Sequence, residues 1–167
     1  QRFLEVQRFD RLGARGRRAL HSFAALDAEF VGSGGNWPVI ARALWKEGVI
    51  TPQAFDTACL LWAFGTLIGN TDMHLGNLSF VPGPTLQLAP AYDMLPMMYA
   101  PLPGGEVPPR TFQPDWPLPP QRKAWQTACA AARAFWRTAS ADLRISAHFR
   151  QLCEANAHTL EHVAPQV

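Results

Sequence analysis

The chain has 167 residues, 48% of them hydrophobic and 17% charged, with a formal net charge of +2. That length suits one domain and that apolar content can build a core, which excludes a wholly disordered chain. The charge is too mild to argue for nucleic acid, and the longest apolar run, residues 58–69 broken by Thr66, is shorter than the ~20 residues of a membrane span.

Gln1 stands where a complete chain would carry Met, and residues 1–9 lack a signal-peptide core, so a piece of a longer protein is expected. Residues 3–10 alternate apolar and polar side chains, the period of a half-buried strand. Arg2, Arg8, Arg11, Arg15, Arg17 and Arg18 crowd this start, as a solvated face or a phosphate-facing patch. After Gly13 and Gly16, residues 17–30 read as a helix with Ala19, Leu20, Phe23, Leu26 and Phe30 on one face. Residues 32–35 form a loop and residues 38–46 a second, short helix carrying Ile40, Leu44 and Trp45. Thr51 as a hydroxyl cap and Pro52 as first helical residue start a third helix. It runs to about Ile68 and stops at Gly69-Asn70; being apolar nearly all round, it is expected at the centre of the domain.

Residues 78–80 and 86–88 then flank Pro82-Gly83-Pro84 as a small hairpin. Twelve of the 15 prolines fall between Pro82 and Pro120, and no helical or strand period appears until Gln121. A long irregular stretch inside a compact domain is usually functional or mobile. Two amphipathic helices, residues 121–138 and 142–163, close the chain. Cys59, Cys129 and Cys153 are odd in number and form no CxxC pair, so buried thiols of a reducing cytosol are expected. Trp37, Trp45, Trp62, Trp116, Trp125 and Trp136 are expected to be core or loop anchors. The fold class is mainly α, with one hairpin and one entering strand.

The chemistry lies in Asn70-Thr71-Asp72-Met73-His74-Leu75-Gly76-Asn77, followed by Ala89-Pro90-Ala91-Tyr92-Asp93. An Asp, an Asn five residues on, and a further Asp after a hairpin is the order of parts in protein-kinase catalytic loops. Phosphoryl transfer needs a divalent metal to offset phosphate charge, and Mg²⁺ wants hard oxygens such as carboxylate and amide carbonyl. Asn77 and Asp93 would supply those oxygens, and Asp72 would orient the attacking hydroxyl and accept its proton. Each residue alone has a plainer role: Asp72 and Asn77 as turn caps, His74 as a residue hydrogen-bonded within the loop, Tyr92 as a packing group that sets the angle of Asp93.

Three segments together resemble the C-terminal lobe of the HipA family of serine/threonine kinases, in its YjjJ-type subgroup, from bacterial toxin–antitoxin systems. They are Phe3-Leu4-Glu5-Val6-Gln7-Arg8-Phe9-Asp10-Arg11, the stretch from Leu67 through Asn77 to Phe80, and Leu88-Ala89-Pro90-Ala91-Tyr92-Asp93-Met94-Leu95-Pro96. The resemblance implies a protein-kinase-like C-terminal lobe over residues 1–167, helical with a short β-hairpin after the catalytic loop. It implies Asp72 as the catalytic aspartate, Asn77 and Asp93 as Mg²⁺ ligands, and ATP as phosphate donor. Glu5, Val6 and Gln7 would lie beside adenine, with His74 also on the nucleotide side. Residues 94–120 would be an activation-loop-like segment in which Arg110 or Asp115 touches substrate, or else a plain surface loop.

The implied setting is a bacterial cytoplasm, with a protein substrate, an antitoxin as possible partner, DNA only indirectly if at all, and no membrane. Gly76 departs from the Lys common before the Asn in that family. The phosphate-covering loop, the lysine that grips phosphates and the regulatory serine would lie upstream, so the isolated chain is expected to bind ATP weakly or not at all. Two other functions stay open. One is a small-molecule phosphotransferase of aminoglycoside- or choline-kinase type, whose D-x-H-x-G-N loop matches Gly76. The other is a catalytically idle domain that binds a toxin–antitoxin partner or DNA.

Overall fold

The computed structural model describes residues 5–163. The chain divides into two compact units, Gln1–Phe55 with His74–Tyr92, and Asp56–Met73 with Asp93–Val167. Roughly half of it is helical, with two small antiparallel sheets, in keeping with a mainly α class.

In the first unit, strands β1 (Arg11–Leu12) and β2 (Gly16–Arg17) form an exposed hairpin turning at Gly13. The strand expected over residues 3–10 is not there. Phe3 and Leu4 lie outside the described residues, and residues 5–10 pair with no other strand. Alternation needs a partner edge to become a ladder. Here Asp10 instead takes a two-point ion pair from Arg8 (2.7 and 2.8 Å), and Phe9 packs on Tyr92 at 6.0 Å between ring centroids. Arg8, Arg11, Arg15, Arg17 and Arg18 are exposed, as a solvated face requires.

The helix expected over residues 17–30 is also shorter. Arg17 belongs to β2, residues 18–20 are irregular and strand β3 (His21–Ser22) takes the next two, because its register against the later hairpin (His21 opposite Phe80, Ser22 opposite Ser79) captures that backbone. The Ser22 hydroxyl accepts from Ala25 N–H and starts α1 (Phe23–Leu26), which relaxes into a π-helical turn, Asp27–Val31. The nearly buried Asp27 carboxylate ends that turn by accepting from Ser33 N–H, Ser33 Oγ and Gly34 N–H. Phe23 and Leu26 are buried as expected, but Phe30 is exposed.

Helix α2 (Trp37–Lys46) is capped by the Asn36 side chain and buries Trp37, Ile40, Ala41 and Leu44. Helix α3 (Pro52–Leu67) starts as expected, with Thr51 Oγ1 accepting from Ala54 N–H. The hairpin forms as β4 (Ser79–Val81) and β5 (Gln87–Leu88), and β4 is the middle strand between β3 and β5. Phe23 and Phe80, both fully buried, stack at 5.6 Å beneath this sheet.

In the second unit α3 alternates buried and half-buried residues from Ala58 on, with Ala63 and Leu67 in the core, while residues 56 and 57 are exposed. It ends in a Schellman motif: Gly69, at φ +70°, lets Asn70 N–H reach Gly65 C=O (2.8 Å) and Gly69 N–H reach Thr66 C=O (3.1 Å). Helices α4 (Arg122–Ala141) and α5 (Ala147–Val163) pack together with Ala63, Leu67 and Ile68. α5 starts five residues later than expected. Asp142 folds back on Arg144 and ends α4, and Ser146 Oγ then accepts from Phe149 N–H to begin α5.

Trp136 is fully buried and donates its indole N–H to Leu67 C=O at 3.0 Å, satisfying a carbonyl that the helix end leaves open. Trp125 is nearly buried as well, but Trp45 and Trp116 are exposed, Trp45 stacking on Phe55 at 5.1 Å. Cys129 and Cys153 are buried and Cys59 only half so. Residues 94–120 contain two short 3₁₀ turns, Met97–Tyr99 and Pro119–Gln121, and are otherwise irregular. No helix of the described residues is long and apolar enough to cross a membrane.

Candidate active site

The polar loop changes units as it runs. Asp72 and Asp93 belong to the second unit, and His74, Asn77 and Tyr92 to the first. Each half has its own supports.

In the second unit, the Schellman turn fixes the backbone of Asn70, whose side chain is only 5% exposed. Its Oδ1 accepts from Asp72 N–H at 3.0 Å and its Nδ2 donates to Asp93 C=O at 3.3 Å. One side chain therefore ties together the backbones of the two acidic residues, which are 21 positions apart. Both Asp72 and Asp93 are exposed. Asp93 has φ +58°, the one described non-glycine residue in the left-handed region. Such a conformation is uncommon outside Gly, Asn and Asp and marks a constrained backbone.

In the first unit, the loop at residues 74–77 is held from three sides. Trp37 in α2 donates its indole N–H to His74 C=O at 3.3 Å, and Asn77 N–H donates to the same carbonyl at 3.1 Å. His74 Nδ1 accepts from Gly76 N–H at 3.0 Å, so this histidine is hydrogen-bonded within the loop, and its ring is exposed. Tyr92 OH donates to Gly76 C=O at 2.7 Å and accepts from Ser79 Oγ at 2.7 Å. Asn77 is 6% exposed. Tyr92 thus does more than fill space: it anchors the residue before Asn77 while standing next to Asp93 in the chain.

Gly76 has a local reason to lack a side chain. A Cβ there would sit 2.8 Å from His74 Cε1 and 2.9 Å from Nδ1, so the ring occupies the space any side chain would need. Glu5, Val6 and Gln7 lie in an exposed segment without regular structure, and Arg110 and Asp115 are exposed in the proline-rich segment. Asp115 contributes its backbone carbonyl to Trp125 Nε1 at 3.2 Å. The Arg8 guanidinium holds the Asp10 carboxyl below its ordinary range, chiefly by hydrogen bonding.

Among the described residues no group of three or more His, Cys, Asp or Glu could hold a metal ion by itself. Each unit offers hard oxygens of its own, the Asp72 and Asp93 carboxylates in the second and the Asn77 amide in the first; carboxylate and amide oxygens are the donor type Mg²⁺ takes, with waters and phosphate oxygens completing its shell. Asn70 opens the segment singled out from the sequence, but no role was assigned to it there. Its signal is its place two residues before the loop aspartate and directly after the helix-ending glycine.

Two comparisons bear on kinship. The family model described as HipA-like C-terminal domain matches residues 1–163. Toxin YjjJ of Escherichia coli (strain K12) is 39% identical over 168 residues, covering 100% of this chain and 38% of the relative. The chain therefore spans well under half the length of that curated relative. With the family model matching nearly its whole length, the chain belongs to the HipA-like C-terminal domain family.

Proposed function

We propose that this chain is the C-terminal catalytic lobe of a toxin-type serine/threonine protein kinase that transfers phosphate from Mg·ATP to a protein hydroxyl. The observation that supports this most is the pairing of Asp72 and Asp93 through Asn70, at the two motif positions where a kinase needs a base and a metal ligand. When bound, Mg·ATP supplies the phosphoryl group and the charge that offsets its oxygens. Asp72 orients the attacking hydroxyl and accepts its proton; Asn77 and Asp93 offer the oxygens that hold the metal. Glu5, Val6 and Gln7 serve the adenine side, and residues 94–120 act as the activation-loop-like segment. An antitoxin is a possible partner in this reading, and the cytoplasm the expected setting.

The test uses the whole protein that carries this chain, with ATP radiolabelled at the γ-phosphate. Label on a protein supports the reading, and Asp72→Asn should lower the rate by about 100- to 10,000-fold, the range for losing a general base. Asp93→Asn should raise the Mg²⁺ concentration needed for turnover. Label only on small metabolites would favour a small-molecule phosphotransferase, which the Gly76-Asn77 pair also matches. Absence of any label, with DNA binding that falls steeply as salt rises, would favour the idle domain.

A further inference from the structure

We propose that Asn70 is a positioning residue for phosphoryl transfer: one amide sets the backbone of both Asp72 and Asp93. This rests on the kinase reading above for what the two acids do, and on the geometry for how they are held.

The residue type is dictated by its two partners. Asp72 N–H can only donate and Asp93 C=O can only accept, so a side chain serving both needs an acceptor and a donor on one short stem. Asparagine has them, and the two partners also fix which way its amide points. Aspartate keeps the acceptor and loses the donor; leucine, of similar size, loses both. The anchor itself is firm. Asn70 N–H is bonded to Gly65 C=O, and the preceding carbonyl, Gly69 C=O, accepts from Met98 N–H at 2.8 Å. Asn70 Nδ2 also lies 4.0 Å from Met94 Sδ, on the far side of Asp93.

The bond to Asp93 C=O lies on the residue that holds φ +58°, a left-handed state that aspartate tolerates better than most L-residues but that a fixed carbonyl helps to select. Without the amide donor, Asp93 can relax toward ordinary φ, which swings its carboxylate. Without the acceptor, Asp72 N–H loses this bond and the loop entering the aspartate loses one of its ties. Groups that orient catalytic or metal-binding side chains typically matter by about 10- to 100-fold.

The experiment compares wild type, Asn70→Leu and Asn70→Asp in the whole protein, by amide hydrogen exchange, thermal unfolding and phosphoryl transfer. Asn70→Leu should speed exchange at the Asp72 amide selectively and lower kcat by about 10- to 100-fold in protein that is still folded. Asn70→Asp should keep the Asp72 amide protected yet remain slow in transfer, because Asp93 C=O has lost its donor. If Asn70 only ends a helix, both variants lower the unfolding temperature while folded protein keeps wild-type kcat; that result overturns the proposal. Full turnover in Asn70→Asp overturns it even if Asn70→Leu does not fold. A wild-type protein without transfer activity, with the Asp72 amide deprotected in Asn70→Leu, would instead remove the kinase reading and the catalytic role with it, leaving the geometry intact.

Discussion

Gly65 offers the sharpest quantitative test of how the second unit supports its two acids. It lies in the last turns of α3, where a Cβ would stand 2.1 Å from Met73 Sδ, and 3.2 Å from both Met73 Cε and Met94 Cε. Met73 follows Asp72 in the chain and Met94 follows Asp93, so the missing side chain makes room for the neighbours of both residues. In an unobstructed helix, glycine to alanine would stabilise by about 1 kcal/mol. Here the methyl overpacks the methionine, at a cost of about 1–3 kcal/mol. Gly65→Ala should therefore be neutral to destabilising, by about 0–2 kcal/mol. In a Met73→Ala background only the 3.2 Å approach to Met94 Cε remains, and the same change should stabilise by up to about 1 kcal/mol. Urea denaturation of the four proteins of this cycle should give a coupling of about 1–3 kcal/mol, the range for residues in contact. If Gly65→Ala alone is stabilising by about 1 kcal/mol and the coupling vanishes, Met73 does not occupy that space and the argument fails.

Further expectations follow from single contacts. Gly76→Lys should displace the His74 ring and break its bond to the residue 76 amide; urea denaturation should show a loss of about 1 kcal/mol. Tyr92→Phe removes the donor to Gly76 C=O and should likewise lose about 1 kcal/mol, with faster exchange at the Asn77 amide. Burial raises the thiol pKa of Cys129 and pushes that of Cys153 up to about 11; with a thiol reagent at neutral pH, half-buried Cys59 should react first and the other two only on unfolding. Asp142 is held at about 2, mainly by the Arg144 side chain, below the ordinary 3.8. A depressed carboxylate stabilises the fold above its unfolded pKa and loses that effect as pH falls through the folded one. The stability gap between wild type and Asp142→Asn should thus close between pH 4 and pH 2, and a gap unchanged across acid denaturation at those pH values would refute it.

Kinship was legible in the order of motifs, because residue identities at fixed spacing carry it without any structure. Elements with purely local signals were legible too. Thr51-Pro52 starts α3 and Gly69 ends it, and the turn at Pro82-Gly83-Pro84 joins two strands, since caps and tight turns act within a few residues. The helix expected over residues 17–30 starts only at Phe23 because Arg17 pairs with Arg11 and residues 21–22 pair with a strand far along the chain, Ser22 opposite Ser79. The strand expected over residues 3–10 failed for the converse reason: its alternating pattern meets no partner edge among the described residues.

The sequence by itself determined which residue types are available for chemistry: a loop aspartate, an asparagine five residues later, and an aspartate after a hairpin. It also determined where α3 must stop, because only a glycine takes φ +70° there with little strain. Tertiary structure alone decided what holds those residues. Asn70 reaches Asp93 across 23 positions, Trp37 reaches His74 across 37, and Trp136 reaches the last carbonyl of α3 across 69. No periodicity or cap rule records such bonds. They exist because a buried polar group must find a partner, and the nearest one in space is set by how distant segments pack.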